Sequence, residues 1–300
     1  MDVNRLKMEI CRGIGLLFCG LAFFSCSKSV EEVAGCNFPK AEEMNLVWSD
    51  EFDGMQINME KWSYDTASGC QFGQNLCGWG NNELQYYTTR EENSYVEDGK
   101  LIIVAREENF ENPGELGLDE YEYTSARMVT KNKGDWKFGR IDVRAKIPTG
   151  KGLWPAIWML PTDTVYGTWP KSGEIDIMEA RGSNTRNIVG TIHYGNEFWE
   201  YNDQYFSDTL DTGERVDFAD DFHTYSAVWT DQCIQFYVDG KELGEPNTRS
   251  TTLPQTWPFD QPFHLLLNVA VGGNYDGDPD GSTDFPQTME VDYVRVYQEN

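Results

Sequence analysis

Glu174, Asp176 and Glu179 stand close together in the segment Ser172-Gly-Glu-Ile-Asp-Ile-Met-Glu-Ala180. Two carboxylates held ~5 to 5.5 Å apart can hydrolyse a glycosidic bond with retention: one attacks the anomeric carbon, and the other protonates the leaving oxygen and later activates water. On a regular strand Glu174 and Asp176 share a face while Ile175 and Ile177 point into a core, and strict alternation would turn Glu179 inward. An unpaired buried carboxylate is costly. The spacing therefore predicts a β-bulge near Ile177 and Met178, which returns Glu179 to the acidic face. At strand rise the two glutamates remain roughly 13 Å apart at Cα, so their side chains must lean together and the strand must curve. Crowding three acids also separates their titrations, and the apparent values belong to the group rather than to single residues. In a chain this acidic a Glu-x-Asp-x-x-Glu string arises readily by chance. Its setting carries more weight: the acids interrupt an apolar strand, and Trp154, Trp158 and Trp169 stand just before it.

The elements that must position these acids read as strands. From about Leu46 to Tyr297 short alternating segments are separated by turns, with no long 3.6-residue period and no internal repeat. In Gly139 to Ile147, Ile141, Val143, Ala145 and Ile147 alternate with Arg140, Asp142, Arg144 and Lys146. Asp98-Gly99 and Asp239-Gly240 each join two such segments and predict tight hairpins. Further strands are expected over 125–130, 156–160, 173–180, 188–194, 224–230, 263–270 and 289–297. The fold class is all-β, with two stacked antiparallel sheets in one sandwich of about 250 residues.

Composition narrows the partners. Fifty acidic against 24 basic side chains give a net charge of -26, which repels phosphate backbones and argues against nucleic acid. Ten Trp and fifteen Tyr are suited to stacking on sugars, although most such rings fill a sandwich core. Arg5, Lys7 and Arg12 precede an apolar run from Gly13 to Phe24 that ends at Ser25 and Cys26. As a helix that run reaches roughly 18 Å, too short to span a membrane. Residues 1–25 are expected to be an export signal of lipoprotein type with lipidation at Cys26. Phe23 departs from the usual Leu, which leaves simple secretion open. Residues 26–43 then form a flexible tether and 44–300 the catalytic domain. The expected location is outside the cytoplasm, anchored by lipid in a bacterial outer membrane on its periplasmic or cell-surface side, or secreted. Cys36, Cys70, Cys77 and Cys233 remain after Cys26. Cys70 and Cys77 share a Gly-rich loop and can pair in an oxidising compartment. Cys233 reads as a small buried side chain. Asp276-Gly-Asp278-Pro-Asp280-Gly281 copies the start of an EF-hand loop, but Gln287 replaces the bidentate Glu, so it reads as a cleft-edge loop.

Eight ordered segments carry a family resemblance: LVWSDEFDG at 46–54, GWGNNELQYYT at 78–88, YTSARMVT at 123–130, GRIDVRAKIPTGKGLWPAIWMLP at 139–161, WPKSGEIDIMEA at 169–180, DDFHTYSAVWT at 220–230, PFHLLLNVAVGG at 262–273 and VDYVRVYQ at 291–298. On these the chain resembles glycoside hydrolase family 16, its laminarinase-like branch, from Val47 to Gln298. The resemblance implies a curved β-jelly roll with an open cleft on its concave face, and retaining cleavage of internal β-1,3 or mixed β-1,3/1,4-glucan linkages by a monomer that needs no cofactor for catalysis. It places the nucleophile on Glu174, the assisting aspartate on Asp176 and the acid/base on Glu179. Asn82, Arg127, Trp154, Trp158, Trp169 and His193 fall on positions that line sugar subsites. A structural Ca²⁺ is implied on Glu51, the carbonyl of Gly99 and Asp292, as hard oxygen ligands would suit. A galactan-cleaving enzyme of agarase or carrageenase type is the nearest alternative, and the acidic chain argues against sulfated galactans. A sugar-binding surface protein without chemistry is the next, and the presence of both Glu174 and Glu179 argues against it.

Overall fold

A computed structural model describes residues 36–114, 116–196, 208–209 and 216–299. Residues 1–25, expected to be an export signal, Cys26 and most of the expected tether lie outside the described residues. Helical structure among the described residues is confined to short 3-10 turns, at Ala41–Glu43, Cys70–Phe72 and Gln74–Gly80.

The strands form two sheets. One runs in the order Lys241–Thr248, Cys233–Val238, His223–Trp229, Gly139–Lys146, Gln287–Glu299, Lys100–Glu111, Glu120–Ser125 and Gln85–Tyr87. Met44–Asp50 pairs with Gln287–Glu299, and Ser94–Glu97 with Lys100–Glu111. The second sheet runs Asp208–Thr209, Asn184–His193, Glu174–Arg181, Leu153–Pro161, Phe263–Val271, Arg127–Val129 and Ser63–Tyr64. Pairings are antiparallel except between Gln85–Tyr87 and Glu120–Ser125, which run parallel, a contact that alternation alone does not specify.

Alternation decides which side faces the core. Ile141, Val143 and Ala145 are wholly buried while Arg140, Asp142, Arg144 and Lys146 keep partial exposure. Both hairpin turns have left-handed central residues, at φ 50° and 72° for Asp98 and Gly99 and at 51° and 73° for Asp239 and Gly240, which suits the twist of tight hairpins. Phe263–Val271 is buried along its whole length. Its sequence is apolar apart from His264 and Asn268, and Asn268 lies under cleft side chains. The expected strand over 125–130 is in fact two, Glu120–Ser125 and Arg127–Val129, with buried Ala126 at the step between sheets.

Two disulfides close the chain on itself. Cys70 pairs with Cys77 as the loop composition allowed. Cys233 is buried, yet it is not the isolated side chain expected from its strand: it is bonded to Cys36, 197 residues away, with the Cα atoms 5.7 Å apart. Strand alternation carries no information about a partner so distant. A cross-link over so long a loop removes much unfolded-chain entropy, so Cys36→Ser should lower the unfolding free energy by about 2–5 kcal/mol in denaturant titration, with the change absent under reducing conditions.

Candidate active site

The acidic strand is positioned by its neighbours. Asp176 lies opposite Trp158 and Glu179 opposite Ala156 on one side, and opposite Thr191 and Val189 on the other. Four residues of the acidic strand, Asp176 to Glu179, thus face three on each neighbour, and the extra residue falls at Ile177–Met178 as the spacing predicted. Ile177 and Met178 are both wholly buried, and Glu179 returns to the exposed face with Glu174. Ala156, opposite Glu179, is the small residue between the bulky Trp154 and Trp158.

Each glutamate has its own indole donor. Trp169 Nε1 donates to Glu174 Oε2 at 2.9 Å, and Trp154 Nε1 donates to Glu179 Oε1 at 2.8 Å. His193, paired with Glu174 in the strand register, brings Nε2 within 3.1 Å of Asp176 Oδ2 and 3.9 Å of Glu174 Oε1. Burial pushes Glu174 up to about 8, reinforced by Asp176 and opposed by His193. Asp176 is raised well above the ordinary carboxylate range by burial and by Glu179. Glu179 is raised by burial, against His193, the Trp154 hydrogen bond and Arg181. All three carboxyls are thus held above the ordinary range, which favours retention of a proton within the cluster.

The remaining residues fall into two groups around this centre. On one side the Tyr275 ring packs on Trp154 at 4.9 Å, and the Arg181 guanidinium lies 4.2 Å over Tyr275 while its Nε donates to the Tyr275 carbonyl at 2.8 Å. Buried Asp276 fixes this edge by accepting from the amides of Gly152 at 2.8 Å and Ser183 at 3.1 Å, which confirms a cleft-edge loop. On the other side Trp158 Nε1 donates to Asn268 Oδ1 at 2.7 Å, and Asn268 Nδ2 donates to the Tyr87 hydroxyl at 3.0 Å. Arg127 lies between Trp158 and Trp79, 4.5 and 4.2 Å from their ring centroids, with Asp65 3.4 Å from its Nε. Asn82, exposed and at φ 59°, donates from Nδ2 to Asn274 Oδ1 at 2.9 Å at the rim.

Sequence reasoning about the acids did not single out Glu83, Trp79, Arg181, Asn268 or Tyr275. Glu83 accepts from Asn81 Nδ2 at 3.1 Å and Gln85 Nε2 at 2.7 Å, and burial raises its carboxyl above the usual range. Glu83 and Trp79 stand inside the 78–88 segment, so a family match was the available signal.

Glu174, Asp176 and His193 form the one group among the described residues that offers three ligand atoms within 4.8 Å of one another. These atoms already pair with each other across the catalytic face. The calcium set does not fit a cation as it stands. Glu51 accepts from Arg295 Nε and Nη2 at 3.0 and 2.7 Å, and Asp292 accepts from Arg144 Nη1 at 2.6 Å. A Ca²⁺ there would have to displace two guanidinium groups, each a charge-assisted partner. A separate hollow of about 360 Å³ between Trp48, Lys133, Trp136 and Gln298 contains none of the three acids.

Residues 82–295 match the model of Glycosyl hydrolases family 16, and the chain belongs to that family. It is 46% identical over 267 residues to the glucan endo-1,3-beta-glucosidase A1 of Niallia circulans, covering 87% of this chain but 39% of that protein. A beta-glucanase of Rhodothermus marinus is also 46% identical, over 274 residues that cover 86% of this chain and 87% of that one. Among solved structures, the laminarinase catalytic domain of Thermotoga maritima aligns with a TM-score of 0.77 at 43% identity, covering 86% of this chain and all of that domain. The two sheets are accordingly those of a curved jelly roll with the acids on the concave face.

The raised carboxyls have a consequence for stability. Glu174 titrates near 4.5 when unfolded and near 8 when folded, so between those values the folded protein keeps a proton that the unfolded chain releases. Rising pH therefore disfavours folding across that window, and below it the effect vanishes. Glu174→Gln should gain stability relative to wild type on going from pH 5 to pH 8, roughly 3 kcal/mol by denaturant titration at each pH. A difference independent of pH would contradict the raised value.

Proposed function

We propose that the protein is a retaining endo-β-glucanase that cleaves internal β-1,3 or mixed β-1,3/1,4 linkages of glucans. The observation that carries this reading is the bulge-aligned row of carboxylates in which Glu174 and Glu179 each hold a separate tryptophan donor. Glu174 attacks the anomeric carbon while Glu179 gives its proton to the departing glycosidic oxygen, forming a glycosyl ester on Glu174 and releasing the first sugar product. Glu179, now ionised, takes a proton from water as that water attacks the ester, and Glu174 leaves as carboxylate. Asp176 and His193 hold the charge between the two glutamates and keep Glu174 oriented. Trp154, Trp158, Trp169, Arg127 and Asn82 supply flat and polar contacts to successive sugars.

The names of the relatives, a glucan endo-1,3-beta-glucosidase and a beta-glucanase, support the glucan reading over the galactan one. The two disulfides support an oxidising compartment and hence export, with residues 1–25 as signal, Cys26 as lipid site and 26–43 as tether. No helix among the described residues is long and apolar enough to cross a membrane.

Products from laminarin, barley mixed-linkage glucan and agarose, with Glu174→Gln alongside wild type, test the assignment. Short β-gluco-oligosaccharides that first appear as the β-anomer by proton NMR are expected from wild type, and turnover at least about 10³-fold lower from the variant. Cleavage of agarose alone, or substantial activity in Glu174→Gln, would contradict it.

A further inference from the structure

A row of flat groups leaves the acids across the sheet. Trp158 stands opposite Asp176 on the next strand, and Arg127 opposite Asn268 two strands further on. With strands ~4.8 Å apart, Arg127 lies about 15 Å from the acidic strand. Beyond it Trp79 stacks at 4.2 Å, and Phe72 meets Trp79 with centroids 5.8 Å apart. Phe72 is 62% exposed, yet its backbone is fixed. It ends the 3-10 turn Cys70–Phe72 and its amide donates to the Gly69 carbonyl at 3.0 Å. The Cys70–Cys77 disulfide closes the loop around it. The two arms of the loop touch so closely that a Cβ on Gly69 would fall 2.3 Å from the Leu76 carbonyl oxygen. Leu116 and Leu118, 68% and 65% exposed, flank Gly117, whose own Cβ position would meet Cys70 Sγ at 3.5 Å.

A single exposed apolar side chain is ordinary on a protein surface. This one differs in standing on an anchored backbone at the end of an aromatic and guanidinium row that begins opposite Asp176. We propose that Phe72 is a distal subsite that stacks against a glucosyl ring several units from the scissile bond, and that the Cys70–Cys77 bond holds this platform in place. The proposal rests on the endo-β-glucanase reading. β-linked glucose carries its hydroxyls equatorially, which leaves the ring faces as C–H surfaces suited to an aromatic plane. Arg127 and Trp158 reach sugars nearer the acids, so short chains end before Phe72 and long chains cover it.

The test is the ratio of kcat/KM on a long laminari-oligosaccharide to that on a short one, for wild type, Phe72→Ala and the Cys70→Ser, Cys77→Ser double variant. Both variants are expected to lower the ratio about three- to ten-fold, the range of one aromatic contact. As a second readout, affinity electrophoresis through laminarin in the Glu174→Gln background should show weaker retardation once Phe72 is also replaced. Circular dichroism confirms that each variant is folded. An unchanged ratio and unchanged retardation, with wild type cleaving both substrates, would overturn the subsite alone. Failure of wild type to cleave either substrate would overturn the endo-β-glucanase reading and the subsite with it.

Discussion

A carboxylate taken out of water needs a partner, and this site must keep three of them within one short strand. The one-residue bulge at Ile177–Met178 makes that arrangement compatible with a packed sheet. Without it Glu179 would point into the layer that holds Ile175 and Ile177, among wholly buried aliphatic chains. With it the core keeps two adjacent hydrophobic side chains and the cleft keeps all three acids. The remaining burial of the two glutamates is offset by donors that do not share oxygens, Trp169 for Glu174 and Trp154 for Glu179, while His193 Nε2 stands 3.1 Å from Asp176 Oδ2. Burial raises all three carboxyls, and neighbouring carboxylates add to it at Glu174 and Asp176, so the cluster that weakens the fold as pH rises also favours keeping a proton.

The surrounding frame serves to hold these donors still. Trp154 packs on Tyr275, over which Arg181 also lies, and the loop behind is tied by Asp276 to two backbone amides. Trp158 is tied through Asn268 to Tyr87, so the opposite half of the cleft is fixed to the strand Gln85–Tyr87, far away in sequence. Placing a site on strands and then locking each side chain from behind favours accurate positioning of the reacting groups.

The parts of this arrangement that were legible in the sequence are those with a local cause. Alternation exposed the core faces of strands such as Gly139–Lys146, and Asp-Gly pairs marked hairpins because both turn positions need positive φ. The bulge was readable because a five-residue spacing conflicts with a two-residue period. What depended on distant partners was not readable. Cys233 gave no sign of Cys36, and nothing in Gln85–Tyr87 signals its parallel neighbour. Glu51 and Asp292 looked like hard cation ligands until Arg295 and Arg144 were seen to hold them. Glu83 and Tyr275 escaped attention because an acid in a polar loop and a tyrosine beside glycines carry no period. The roles of His193 and Arg127 came from the family resemblance rather than from their neighbours in sequence.

The central claim is that Glu174 forms a covalent bond to the sugar while Glu179 handles the proton. Incubation with a 2-deoxy-2-fluoro-β-glucosyl oligosaccharide bearing an activated leaving group slows breakdown of any glycosyl ester, and peptide mass spectrometry then locates it. The account predicts one added glycosyl unit on the peptide containing Glu174, localised to that side chain by fragmentation. A label on Glu179, or inactivation with no covalent adduct on either residue, would contradict it.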